Sequence, residues 1–356
     1  MASLTQIAIV SRKGIRYGIY AIVLIIIARF VFNIGVSLYK KIFPPPPPEP
    51  TVAFGKLPKL PFPEKERPEN LNYVLETPDG KLPTLPAQET LYFMPPISSS
   101  IDDVESAKTK AQALGFNPDG KPIAEALKNV YIFDKTNIPS TLTMNIITGI
   151  FSISYNLNAD PSVISGVPPA SDLATDQAKS YFVSVGISSD FQQGRSTTEF
   201  LKLEGGNLVK VDSQSDSELI KVNLFRENLG LNKDISSVTP DMPEANIWVI
   251  ITGNRTIISA EYHYFQVDQQ KSGTYPLKTA DEAWEELKKG DTFIANLGTD
   301  TDGQITIRRV YLAYYDPGQY AEFYQPVVVF EGDGGFYAYV PAVKADLYGA
   351  EAESSE

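Results

Sequence analysis

Cysteine is absent from this 356-residue chain, and histidine occurs once, at His263. The first absence excludes a disulfide framework, thiolate zinc sites and cysteine nucleophiles. The second leaves His263 as the one side chain around which a histidine-based triad or metal centre would have to be built. His263 stands in an expected strand, Ile257 to Val267, sharing a face with Ser259 and Glu261. Residues two apart on a strand point the same way without converging on a substrate, so a general base is not indicated. There is no glycine-rich phosphate loop and no Gly-x-Ser-x-Gly elbow. Tryptophan is scarce too, with 2 Trp against 19 Tyr and 18 Phe, a balance that favours half-buried sheet faces over helical bundles.

Acidic residues are missing from residues 1–41, which hold six Lys/Arg, so the remainder carries 25 basic against 43 acidic residues. An exterior of that sign repels phosphate backbones, and nucleic acid is excluded as a partner. The run Asp300-Thr301-Asp302-Gly303 begins like a calcium loop. Its glycine, however, sets the first ligand position on Gly298 and the twelfth on Arg309, which cannot bind a cation. Asp102 and Asp103 complement the dipole of an expected helix and need no metal. No catalytic, cofactor-binding or metal-ligating residue is therefore assigned. A carboxylate pair assembled by the fold, as in glycoside chemistry, keeps an envelope hydrolase as an alternative.

What is present begins with Tyr17 to Tyr39, a nearly uninterrupted apolar run between Arg16 and Lys40-Lys41. About 23 residues at about 1.5 Å per residue give roughly 34 Å, enough to cross a hydrocarbon core with some tilt. The basic segment 1–16 predicts a cytoplasmic amino end and an extracytoplasmic remainder. A cleaved signal peptide is the competing reading, but no small-x-small cleavage site follows the run. Arg29 and Asn33 lie one turn apart on the same face, where a charge costs about 2.5 to 3.5 kcal/mol at the helix centre. They are candidate contacts for a partner helix, against the alternative that Arg29 extends to the outer headgroups.

Residues 40–70 read as a stalk: Pro44 to Pro48, Pro50, Pro58, Pro61, Pro63 and Pro68 favour an extended polyproline rod. Beyond it the patterning predicts an α+β architecture of three units, 71–160, 161–268 and 269–343, each a helix on an antiparallel sheet. The helices are Ile101 to Leu114, Asp172 to Val185 and Ala280 to Lys289, with Ser100, Ser171 and Thr279 as caps and Gly115, Gly186 and Gly290 past their ends. Thr279 with Glu282 forms a capping box. Glycine turns at Thr148-Gly149, Gly205-Gly206-Asn207, Gly253-Asn254 and Gly332 to Gly335 predict four hairpins. An earlier hairpin, Tyr73-Glu76 with Thr90-Phe93, is expected to brace the stalk. Residues 344–356 read as a mobile acidic tail.

The stretch Thr274 to Val343 runs TYPLKTADEAWEELKKG, then ITIRRVYLAYYDPG, then QPVVVFEGDGGFYAYVPAV. It resembles the extracytoplasmic domains of the YycH/YycI class of single-pass bacterial regulators of sensor kinases, and more distantly PepSY-type domains. The shared features are a helix opened by Thr-x-x-Glu, a strand ending in an aromatic pair, a Pro-led strand and a closing Tyr-x-Val-x-Ala hairpin. The likeness covers about a fifth of the chain and implies a membrane-tethered interaction module with no enzymatic activity. Tyr311, Tyr314, Tyr315, Tyr320, Phe323 and Tyr324, clustered around Asp316-Pro317-Gly318, are candidate partner contacts. The alternative is that alternate members fill the inner face of the sheet. The expected function is thus a non-catalytic regulatory or interaction module, anchored in the bilayer through residues 17–39 and engaging another membrane or envelope protein. A structural subunit of a surface assembly is the alternative, and homo-oligomerisation is left open.

Overall fold

The computed structural model describes residues 4–42, 48–66, 68, 71–125, 127–184, 186–187, 190–299 and 303–350. The chain divides into two compact units, residues 1–49 and 50–356. The first is helix α1, Leu4–Ile42. Its stretch Gly14–Tyr39 is the one helical segment among the described residues that is long and apolar enough to cross a membrane. The helix starts ahead of the expected span, so much of the basic segment continues the same rod. Arg29 and Asn33 are both exposed on it.

The second unit is a mixed α+β domain. Its larger sheet has nine strands, all antiparallel. In spatial order they are Lys121–Pro122, Val130–Asp134, Ser140–Asn145, Phe151–Tyr155, Ile257–Tyr262, Ile247–Thr252, Leu219–Leu224, Ser196–Glu204 and Asn207–Val211. Helices α2, Asp103–Ala113, and α3, Ser171–Ser184, supply buried residues to the core along this sheet. Alanines at 107, 111, 174 and 178 keep those helix faces thin, and Phe182 fills the centre, 5.5 Å from Phe191 and 5.7 Å from Tyr262 ring to ring. Emptying that position in Phe182→Ala would cost about 3 to 5 kcal/mol.

The remaining strands form a six-stranded and a three-stranded sheet. In the first, Ser237–Val238, Gln304–Tyr315, Pro326–Gly332, Tyr337–Pro341 and Phe293–Asn296 lie in that order, with Asn72–Leu75 added in parallel on Gln304–Tyr315. In the second, Gln88–Phe93 lies between Asp268–Pro276 and Phe323–Tyr324. Helix α4, Ala280–Lys289, buries Ala283 and Leu287 in the core these sheets share. Its capping box is formed as expected: Thr279 Oγ1 accepts from the Glu282 N–H, and Glu282 accepts from the Thr279 N–H at 2.7 Å. Gly290 takes the left-handed conformation that ends it, φ 93°.

Several expectations are corrected. Three successive helix-and-sheet units are not what pairs: Asn72–Leu75 joins Gln304–Tyr315, Gln88–Phe93 joins Asp268–Pro276, and Phe151–Tyr155 joins Ile257–Tyr262. Each of these pairings crosses an expected unit boundary. The hairpin of Tyr73-Glu76 with Thr90-Phe93 does not form for the same reason. Helix α2 begins at Asp103 and leaves Ile101 96% exposed rather than in the apolar face. Val185 lies outside the described residues, as do Asp300, Thr301 and Asp302.

The proline-rich segment is a further correction. Pro44 to Pro47 lie outside the described residues, but residues 51–62 are laced onto the domain instead of standing free. The Val52 N–H donates to the Thr274 carbonyl at 3.0 Å, and Phe62 stacks on Phe293 at 4.8 Å. Leu57–Pro58 pairs in parallel with Tyr348–Ala350. Proline spacing signals stiffness, whereas Val52, Phe54, Leu57, Leu60 and Phe62 between the prolines supply apolar surface that burial draws onto the sheet. The same pairing places Tyr348–Ala350 in a strand rather than a mobile tail; residues 351–356 lie outside the described residues.

Candidate functional site

Helix α3 carries two stripes. Ala174, Ala178 and Phe182 face the core, and Gln177, Ser180, Tyr181 and Ser184 follow the i, i+3, i+4, i+7 spacing of one face beside it. This second stripe forms one wall of a cleft of about 430 Å³. The floor is apolar, from Leu114, Phe116, Ile153 and Ile257. Lys135 and Ser140 enter from the turn between Val130–Asp134 and Ser140–Asn145, and Arg255 and Thr256 from the turn after Ile247–Thr252.

Each polar group has a local reason for its position. Lys135 lies with its ammonium 5.6 Å from the centre of the Phe116 ring. Arg255 holds a left-handed backbone conformation, φ 60°, and its carbonyl accepts from Gln177 Nε2 at 2.7 Å, which ties the turn to α3. A non-glycine residue at that φ stores strain of about 1 to 3 kcal/mol. Ser140 is only 6% exposed; its N–H and C=O are used by the Ile138 carbonyl and the Lys135 N–H, and its hydroxyl has no hydrogen-bond partner among the described residues. Burial pushes the Tyr181 phenol well above its ordinary value, so it stays a protonated donor. The lining has two cations, several hydroxyls and no carboxylate, so it offers donors and positive charge.

A second cluster of charge is closed. Arg226, 2% exposed, donates from Nε to Asp190 at 3.1 Å and through Nη2 to the Phe265 carbonyl, with Asp316 3.7 Å from Nη1. Its guanidinium lies over Tyr264 and Tyr324. Burial pushes both aspartates up against the opposing pull of Arg226. Asp190 follows α3 in the chain, whereas Asp316 ends the long strand Gln304–Tyr315. The cluster therefore bolts the nine-stranded sheet to the other two and offers no surface to a ligand.

The tyrosine group expected as interface anchors is mostly core. Tyr314, Tyr315, Phe323 and Tyr324 are buried, Tyr311 is half-buried and only Tyr320 is exposed. Tyr314 stacks on Tyr324 at 5.0 Å and donates to the Thr90 carbonyl at 2.6 Å. Tyr315 points to the opposite layer, against Phe62 and Tyr339. The strand that bears them is covered on both faces, so consecutive tyrosines feed two cores. His263 lies just beyond the strand Ile257–Tyr262, with Nε2 3.0 Å from Glu261.

The cleft residues Lys135, Ser140, Gln177, Ser180 and Arg255 were not singled out by sequence reasoning. The polar stripe on α3 was the available signal, but nothing local tied it to turns 40 residues before and 70 residues after. No protein-family model and no curated protein matches this chain. Among solved structures, an uncharacterized protein from Eubacterium rectale is similar over 73% of this chain and 79% of its own, at 10% identity and a TM-score of 0.35.

Proposed function

We propose that this chain is a non-catalytic binding module, anchored by α1 with its amino end cytoplasmic and its domain on the outer side of the membrane. The observation that carries the reading is the cleft beside α3, where two cations and several hydroxyls surround an apolar floor. Such clefts, of roughly 300 to 1,000 Å³, are the usual form of a small-ligand or side-chain site. The lack of a carboxylate or imidazole in the lining supports binding over hydrolysis. A photo-crosslinking residue placed at Ser180, on the exposed rim, tests the reading in native membranes. A discrete adduct at Ser180 and none at Lys121 is expected. Equal labelling at both, or none, would remove the cleft as the binding face.

A second reading, a subunit of a surface assembly, is favoured by the edge strand Asn207–Val211. It pairs only with Ser196–Glu204 and exposes Leu208 and Val209 by 43% and 40%. The opposite edge, Lys121–Pro122, is two residues long and carries a proline, which blunts it.

A further inference from the structure

We infer that the cleft beside α3 is a site for a small ligand bearing an oxyanion, a phosphate or carboxylate group, on an apolar body. The inference rests on the binding-module reading and names its ligand class. Beyond residue 41 acidic residues outnumber basic ones 43 to 25, so a cleft that holds two cations and no carboxylate runs against the sign of its surroundings. Neither Lys135 nor Arg255 forms an ion pair with a carboxylate among the described residues. Cations left unpaired in an acidic protein are free to take an anion from solution.

The second observation is Ser140. A side-chain hydroxyl that faces a cleft without a protein partner is a donor available to a bound group. Here it lines the cleft with none of its own. Tyr181 adds a phenol that likewise has no hydrogen-bond partner among the described residues. Two hydroxyl donors and two cations around Phe116, Leu114 and Ile153 match an oxyanion whose attached group covers the floor. Arg255 strengthens the case through its backbone: a turn at φ 60° is cheapest with glycine or asparagine, yet an arginine stands there, with its carbonyl tied to Gln177.

The test uses the full chain in phosphatidylcholine nanodiscs, titrated calorimetrically with phenyl phosphate and, separately, with the uncharged phenyl β-glucoside. Saturable binding of phenyl phosphate is expected. Lys135→Met and Arg255→Asn should each weaken it about tenfold, the loss of one charge-assisted contact, and Ser140→Ala about threefold to tenfold. Asparagine tolerates the left-handed turn, so Arg255→Asn removes charge without unfolding it. Unchanged circular dichroism in all three variants separates lost binding from lost structure. Nanodiscs containing phosphatidylglycerol distinguish the source: competition with phenyl phosphate assigns a lipid headgroup, and no competition a soluble oxyanion. Phenyl phosphate that fails to bind, or binds equally to Lys135→Met/Arg255→Asn, overturns the assignment. Binding of the glucoside alone would overturn it while leaving the binding-module reading standing.

Discussion

The Tyr275 phenol donates to the Gly55 carbonyl at 3.0 Å and accepts from the Phe54 N–H at 2.8 Å, clamping the segment that follows α1 in sequence to a strand 220 residues later. Tyr275→Phe keeps the ring and deletes both bonds. It should lower stability by about 1 to 3 kcal/mol in urea unfolding, since two backbone groups lose their partner. Limited proteolysis should then cut within residues 51–60 faster than in the wild type. An unchanged cleavage rate would mean that the apolar side chains alone hold the segment.

The Arg226 cluster makes a stronger prediction. Arg226→Met removes the cation between Asp190 and Asp316 and leaves buried carboxyls uncompensated. The expected loss is about 3 to 5 kcal/mol, measured by chemical unfolding of the full chain. Adding Asp190→Asn and Asp316→Asn to that variant should recover part of it. A loss under 1 kcal/mol in the single variant, below what a broken buried pair costs (about 3 to 5 kcal/mol), would show that the cluster does not join the sheets.

His263 gives a pH signature. The hydrogen bond to Glu261 raises its pKa above the ordinary histidine value. A raised folded pKa contributes stability that is complete below the unfolded value, about 6.5, and is lost as pH rises through the folded value. The stability gap between wild type and His263→Gln should therefore be largest near pH 5.5 and shrink toward about pH 8.5. A gap independent of pH would exclude the pair as a titrating contact.

The edge strand is open to a direct test because the chain has no cysteine of its own. Under the assembly reading, Val209→Cys crosslinks to a second copy on mild oxidation in native membranes, since paired strands bring opposing Cα atoms within about 4.5 to 5.5 Å. Lys121→Cys on the blunted edge should not. Equal yields at both sites would dismiss edge pairing.

Local chemistry in the chain was enough for the features that depend on near neighbours. The apolar run Tyr17 to Tyr39, the Thr279–Glu282 capping box, and the turns at Gly149 and Gly205-Gly206 follow from residues a few positions apart, and each appears in the structure. What the sequence could not decide was pairing over distance. Asn72–Leu75 meets Gln304–Tyr315 across more than 200 residues, and its alternation specifies a face to bury but no partner strand. Residues 51–62 carried two signals at once, proline stiffness and apolar alternation, and only the docked sheet shows which dominates. The same limit hid the cleft. Lys135, Ser140, Gln177 and Arg255 carry no signal one by one, and they line one cleft because α3 and two turns are brought to one end of a single sheet by tertiary packing.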